Sequence, residues 1–135
     1  MIKQISILVE NEIGTIFEVT DILAQNNINI KAFSVNDTSD FGILRLLVDE
    51  YEEAEKVLKE NDFGFKVGDV LAVELEHRPG ALNDVLKILK EENIGVNYMY
   101  SMVIKDDKPL MVIDTHDSVK ATKVLTEKGI IVEWY

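Results

Sequence analysis

Apolar residues recur along this chain with two periods. Ile5, Ile7 and Val9 alternate with Gln4, Ser6 and Leu8, and a period of two predicts a strand. After the loop Asn11-Glu12-Ile13-Gly14, the residues Ile16, Val19, Thr20 and Leu23 fall at i, i+3, i+4 and i+7, which predicts a helix from about Thr15 to Asn26. Thr15, with Glu18 three residues on, has the form of a capping box. Residues 28–35 and 41–49 read as strands joined by the polar hairpin Asn36-Asp37-Thr38-Ser39-Asp40. Asp49 and Glu52 form a second candidate capping box, opening a helix that buries Ala54, Val57 and Leu58. A short strand at Phe65 to Val67 closes the unit.

The same order then returns. Leu71, Val73 and Leu75 predict a strand, and Leu82, Val85, Leu86 and Leu89 a helix stripe. Strands at about 96–105 and 109–114, a helix at about 117–127 and a last strand near Ile130 to Trp134 complete it. The match is residue by residue: Gly14 with Gly80, Val19 with Val85, Leu23 with Leu89, Asn27 with Asn93 and Ile28 with Ile94 share an offset of 66. A period above the solenoid range, present twice, predicts two whole domains, 1–68 and 69–135, with a short linker at Val67-Gly68-Asp69. The fold class expected is α+β, two ferredoxin-like βαββαβ domains whose antiparallel sheets carry helices on one face. Ile43-Leu44-Arg45-Leu46-Leu47-Val48 is apolar on both faces apart from Arg45, and Leu110-Met111-Val112-Ile113 is its counterpart. Both faces are therefore expected to be covered, by the sister domain or a second chain, and a homodimer is expected.

Composition narrows the function. With 135 residues and 47% hydrophobic content the chain can bury a core, while each half is near the size at which a lone domain is marginal. No apolar run approaches the roughly 18 to 20 residues that span a bilayer, and the strand-like start with Lys3, Glu10 and Glu12 is unlike a signal peptide. A cytoplasmic location is the expectation. The absence of cysteine removes disulfides, thiolate nucleophiles and Cys-based zinc sites. The net charge of −11 is spread over 6 basic and 13 acidic residues in 1–68 and 8 and 12 in 69–135. No concentrated basic surface exists for phosphate backbones or anionic lipid, so neither nucleic acid nor membrane is an expected partner. His116 has no His or Cys neighbour to share a metal, and no metal or cofactor is expected.

The loops carry the functional signal. Residues 76–82, Glu-His-Arg-Pro-Gly-Ala-Leu, resemble the Pro-Gly-x-Leu turn of ACT domains, small regulatory modules that bind amino acids. Residues 10–16, Glu-Asn-Glu-Ile-Gly-Thr-Ile, are a weaker copy, with Ile13 where the family has proline. The segment from Asn36 to Asp49, with Ser39-Asp40-Phe41-Gly42 entering the strand, also resembles tandem ACT proteins made of two such domains. The resemblance covers nearly the whole chain. It implies a ligand held between the loop and a neighbouring domain's second strand. Carried over by position, that implies Asn11, Gly14, Thr15 and Ile16 from one loop, His77, Gly80, Ala81 and Leu82 from the other, and Asn29 at the start of a second strand. Tyr98, Met99, Tyr100 and Ser101 on the equivalent strand are candidate walls, which points to a large apolar or aromatic ligand.

The chemistry of these loops is consistent with that implication. A glycine bend lets backbone approach a ligand, and the first N–H groups of a helix have no internal acceptor and suit a carboxylate. Asn11 with nearby carbonyls, or His77, would accept from an ammonium. Competing readings stand beside these: Thr15 as a simple cap, His77 as a solvated loop residue, and Tyr98 and Tyr100 as interface packing. Losing proline at Ile13 implies a looser first loop. The function expected is a non-catalytic regulator that binds an amino acid and signals to a separate metabolic enzyme or regulator. The alternatives are a ligand-free scaffold subunit and a small acylphosphatase-like enzyme, the latter opposed by Glu74 and Glu76 beside Arg78.

Overall fold

Alternation in the first strand sets one face of the first sheet, and everything in that unit packs onto it. The computed structural model describes residues 2–10, 12–37, 40–103 and 109–133. Its elements are β1 (Ile2–Glu10), α1 (Thr15–Gln25), β2 (Ile30–Asp37), β3 (Phe41–Val48), α2 (Tyr51–Glu60), β4 (Phe65–Glu74), α3 (Ala81–Glu91), β5 (Val96–Val103), β6 (Pro109–Thr115) and α4 (Ser118–Glu127). The chain divides into two compact units, Lys3–Gly68 and Asp69–Tyr135, the second also taking in Ile2. Each unit has the α+β, ferredoxin-like plan of strand, helix, two strands and helix. The division falls inside β4, so Val67-Gly68-Asp69, expected as a linker, is part of one continuous strand.

In Lys3–Gly68, β3 pairs antiparallel with both β1 and β2: Ile5 and Phe33 flank Leu46, and Ile7 and Val35 flank Leu44. Ile5, Ile7, Val9, Leu44, Leu46 and Val48 meet Val19 and Leu23 of α1 and Ala54, Val57 and Leu58 of α2 in one buried cluster, with Phe65 and Val67 at its border. In Asp69–Tyr135, β6 pairs with β4 and β5, and Leu71, Val73 and Ile113 meet Val85, Leu89, Ala121 and Leu125. The last strand expected near Ile130 to Trp134 is a short antiparallel bridge: Glu74 N–H donates to the Ile131 carbonyl at 2.9 Å and Glu133 N–H to Ala72 at 2.8 Å. Trp134 lies outside the described residues.

The expectation that both sheet faces are covered holds for β6 and in part for β3. Leu110 and Val112 are fully buried on the face away from the helices, as is Leu47, while Ile43 and Arg45 are half-buried.

Helix exits explain the repeated Asn27 and Asn93. Both adopt a left-handed conformation (φ 57° and 58°), which asparagine tolerates better than most residues. Ile28 N–H then reaches back to the Leu23 carbonyl at 3.0 Å, and Ile94 N–H to Leu89 at 2.8 Å. Asp62 and Gly129 end α2 and α4 the same way, with Phe63 bonding to Leu58 and Ile130 to Leu125. Four helices thus stop on one device, in which an apolar residue just past the end returns to the core.

The expected capping boxes are absent. Gly14 precedes α1 with no side-chain cap, and Glu50 precedes α2 likewise. Asp49 instead accepts from Asn29 N–H at 3.0 Å, tying the start of β2 to the end of β3. A true side-chain cap occurs at α4, where Asp117 Oδ1 accepts from Lys120 N–H at 3.0 Å.

Candidate functional site

The two loops repeat their geometry atom for atom. In the first, Glu12 N–H donates to the Glu10 carbonyl (2.8 Å), Thr15 N–H to Glu12 (3.4 Å) and Glu18 N–H to Gly14 (2.9 Å). In the second, Arg78 donates to Glu76 (2.9 Å), Ala81 to Arg78 (3.4 Å) and Asp84 to Gly80 (2.9 Å). Gly14 and Gly80 sit at φ 91° and 88°, a region costly for residues with a Cβ. A left-handed glycine in the capping position offers no side-chain acceptor. The N–H groups of Ile16 and Phe17, and of Leu82 and Asn83, therefore have neither a cap nor an acceptor within their helix. Each helix start presents donors and the positive end of its dipole, the environment that suits a carboxylate.

What braces the loops differs. Thr15, expected to cap its helix, turns its hydroxyl onto the loop: its oxygen lies 2.7 Å from the Glu10 carbonyl and 2.6 Å from that of Glu12. Ala81 at the matching position has no hydroxyl. Proline at position 79 and Arg78 take over: the guanidinium donates to Glu76 at 2.6 Å and to Asp84 at 2.7 Å. The hydrogen bond to Asp84, and then that to Glu76, hold the Arg78 pKa above its ordinary value. With both neighbours acidic and engaged, Arg78 is not placed as a bare phosphate-binding arginine.

Each loop borders a cavity inside its own unit. Thr15 and Ile16 line a cavity of about 200 Å³ with Glu10, Glu12, Val35, Asn36 and Asp37. His77, Ala81 and Arg78 line one of about 390 Å³ with Glu74, Glu76, Asp84, Pro109, Ile130 and Ile131, and Leu82 joins them in an adjoining hollow of about 380 Å³. Asn11 lies outside the described residues. Asn29 stands at the other end of its unit, since β2 begins opposite Val48 while the loop lies beyond Glu10, which is paired with Phe41. The residues of β2 beside the loop are instead Val35, Asn36 and Asp37. This was readable from topology: β1 and β2, both antiparallel to β3, run parallel to each other and end together. Tyr98, Met99, Tyr100 and Ser101 lie along β5 opposite Asp114 to Met111 and do not line the cavities beside the loop of their own unit. His116 is structural, its Nδ1 accepting from Gly95 N–H at 3.3 Å. Among the described residues no cluster of three potential metal ligands occurs, and no helix is long and apolar enough to cross a membrane.

Comparison with known proteins agrees with this arrangement. The ACT domain pair family matches residues 1–133. The crystal structure of protein BT0572 from Bacteroides thetaiotaomicron is 38% identical, with a TM-score of 0.91 over 98% of this chain and 91% of that one. The ligand-free regulatory subunit of aspartate kinase from Thermus thermophilus shares 14% identity, with a TM-score of 0.65 over 93% of this chain and 91% of that one. A structure of aspartokinase alpha and beta subunits shares 20%, with a TM-score of 0.60 over 93% and 90%. At those identities the two kinase proteins show likeness of fold alone. Among curated proteins none matches the chain. Duplicated ferredoxin-like units, paired glycine bends and a match along 1–133 place this chain in the family of ACT domain pairs.

Proposed function

We propose that the protein is a non-catalytic regulator, built of two ACT-like domains at 1–68 and 69–135, that binds a small amino acid and acts on a separate protein. The observation that carries this reading is the first cavity. Uncapped N–H groups at the start of α1 suit a carboxylate, and Glu10, Glu12, Asn36 and Asp37 around the same space supply acceptors for an ammonium. Both ends of a zwitterion thus find partners within one hollow. At about 200 Å³ it is smaller than the roughly 300–1,000 Å³ of drug-sized sites. A compact ligand fits better than the large aromatic one suggested by Tyr98 and Tyr100. The second loop offers the same donors, with Arg78 already tied to two carboxylates. Regulation requires the ligand to prefer one of two states of the regulator, which then differ in affinity for the regulated protein. The working form is proposed to be a homodimer in the cytoplasm.

A thermal-shift series over the common amino acids tests this. A ligand at about 100 times its Kd adds about 2.7 kcal/mol to stability, a shift of several degrees for domains of this size. At least one amino acid is expected to give such a shift. No response to any amino acid would leave the scaffold reading, and a response to acyl phosphate alone would favour an enzyme.

A further inference from the structure

We propose that the hollow beside the second loop takes an aliphatic amino acid, its side chain lodged between the start of α3 and the residues that follow α4. This names the ligand class of one site and rests on the reading that the protein binds an amino acid. The two loops share their bond geometry, yet their cavities extend to different elements. The first reaches Val35, Asn36 and Asp37 at the end of β2. The second reaches Ile130 and Ile131, past the end of α4. Its volume of about 390 Å³ falls within the roughly 300–1,000 Å³ of ligand sites, whereas about 200 Å³ does not.

The duplication shows where the larger space comes from. Phe63 and Ile130 follow the left-handed residues that end α2 and α4, and each N–H returns to the last turn of its helix at 3.0 Å. Phe65 and Val132 hold matching places two residues on. In Lys3–Gly68 both phenylalanines pack against the core cluster. Isoleucine and valine are smaller, so the same region of Asp69–Tyr135 is less filled. Its depth is aliphatic: Val85 is buried, and Leu75 and Ile130 are partly buried against the core. The carboxylates stand at the rim. The side chains of Glu76 and Asp84 are 76% and 53% exposed, and Arg78 already holds both. An apolar floor under a polar rim suits a hydrocarbon side chain with a charged head. Ala81 opens α3 and Gly129 follows α4, so the hollow is bordered by the positive end of one helix dipole and the negative end of another, which suit the two charges of a zwitterion. A long cationic side chain would instead carry its ammonium in among Val85, Leu75 and Ile130, where desolvation opposes it.

Calorimetric titration of the full chain with L-leucine, L-alanine and L-lysine tests this, with circular dichroism confirming that each variant folds. L-leucine is expected to bind at least about tenfold more tightly than either of the others. Ile130→Phe, which installs the residue found at position 63, should weaken leucine binding about tenfold by filling the hollow. Ile131→Ala, at a position 56% exposed, trims the wall without touching the core and should weaken it about threefold. A leucine affinity unchanged in both variants would overturn the placement. Alanine or lysine binding as tightly as leucine would overturn the aliphatic class while leaving the proposed function standing. Absence of binding by every common amino acid would overturn both.

Discussion

Gly14 and Gly80 show why a single residue type recurs at matching positions. Both hold a positive φ at a helix start, and around Gly14 no heavy atom stands within 4 Å of where a Cβ would be. The requirement is therefore conformational rather than steric. Gly14→Ala is expected to destabilise the native state by about 1–2 kcal/mol, measured by urea unfolding. A neutral result would mean that the bend relaxes. Ile13 tests the complementary point. It is fully exposed and stands where Pro79 stands in a loop of the same hydrogen-bond geometry. Ile13→Pro is expected to stabilise by about 0.4–1 kcal/mol by restricting the unfolded chain; a loss of stability would show that Ile13 N–H has an acceptor. The glycines were legible in the sequence. The role of Thr15 was not, because the carbonyls that take its hydroxyl lie in the preceding loop, where no side-chain pattern marks them.

At the scale of elements, periodicity carried nearly all the information about which segments form helices and strands, because core burial demands it: Val19 and Leu23, or Val85 and Leu89, recur where the helix turns toward the sheet. Caps were less legible. The pairs Thr15/Glu18 and Asp49/Glu52 have the right spacing, yet Thr15 bonds the loop and Asp49 bonds Asn29, twenty residues away in sequence. Asp117, which sequence pattern did not single out as a cap, is the side chain that caps α4. Asp117→Ala should cost about 1 kcal/mol in chemical denaturation, with Asp117→Asn nearly neutral. Equal losses in both variants would assign the effect to charge rather than to the bond with Lys120. The linker expected at Val67-Gly68-Asp69 falls where the chain divides, and β4 runs through it, which no side-chain pattern there marks.

At the scale of the molecule, duplication was the most legible feature, since the offset of 66 that pairs Gly14 with Gly80 also pairs Asn27 with Asn93, and both pairs adopt matching conformations. The β2 side of the first cavity followed from topology, whereas the place of Pro109, Ile130 and Ile131 beside the second loop lay beyond reach. The repeated bends are braced by unlike means, a threonine hydroxyl in one and a proline with an arginine bridge in the other. The proposed function requires main-chain amides exposed by these bends to hold an amino acid. Titration calorimetry, using the amino acid with the largest thermal shift, tests it on the wild type and on the Gly14→Val/Gly80→Val variant at a temperature where both are folded. Heat of binding should be present in the first and lost in the second; an unchanged Kd in the double variant would contradict the placement of the ligand.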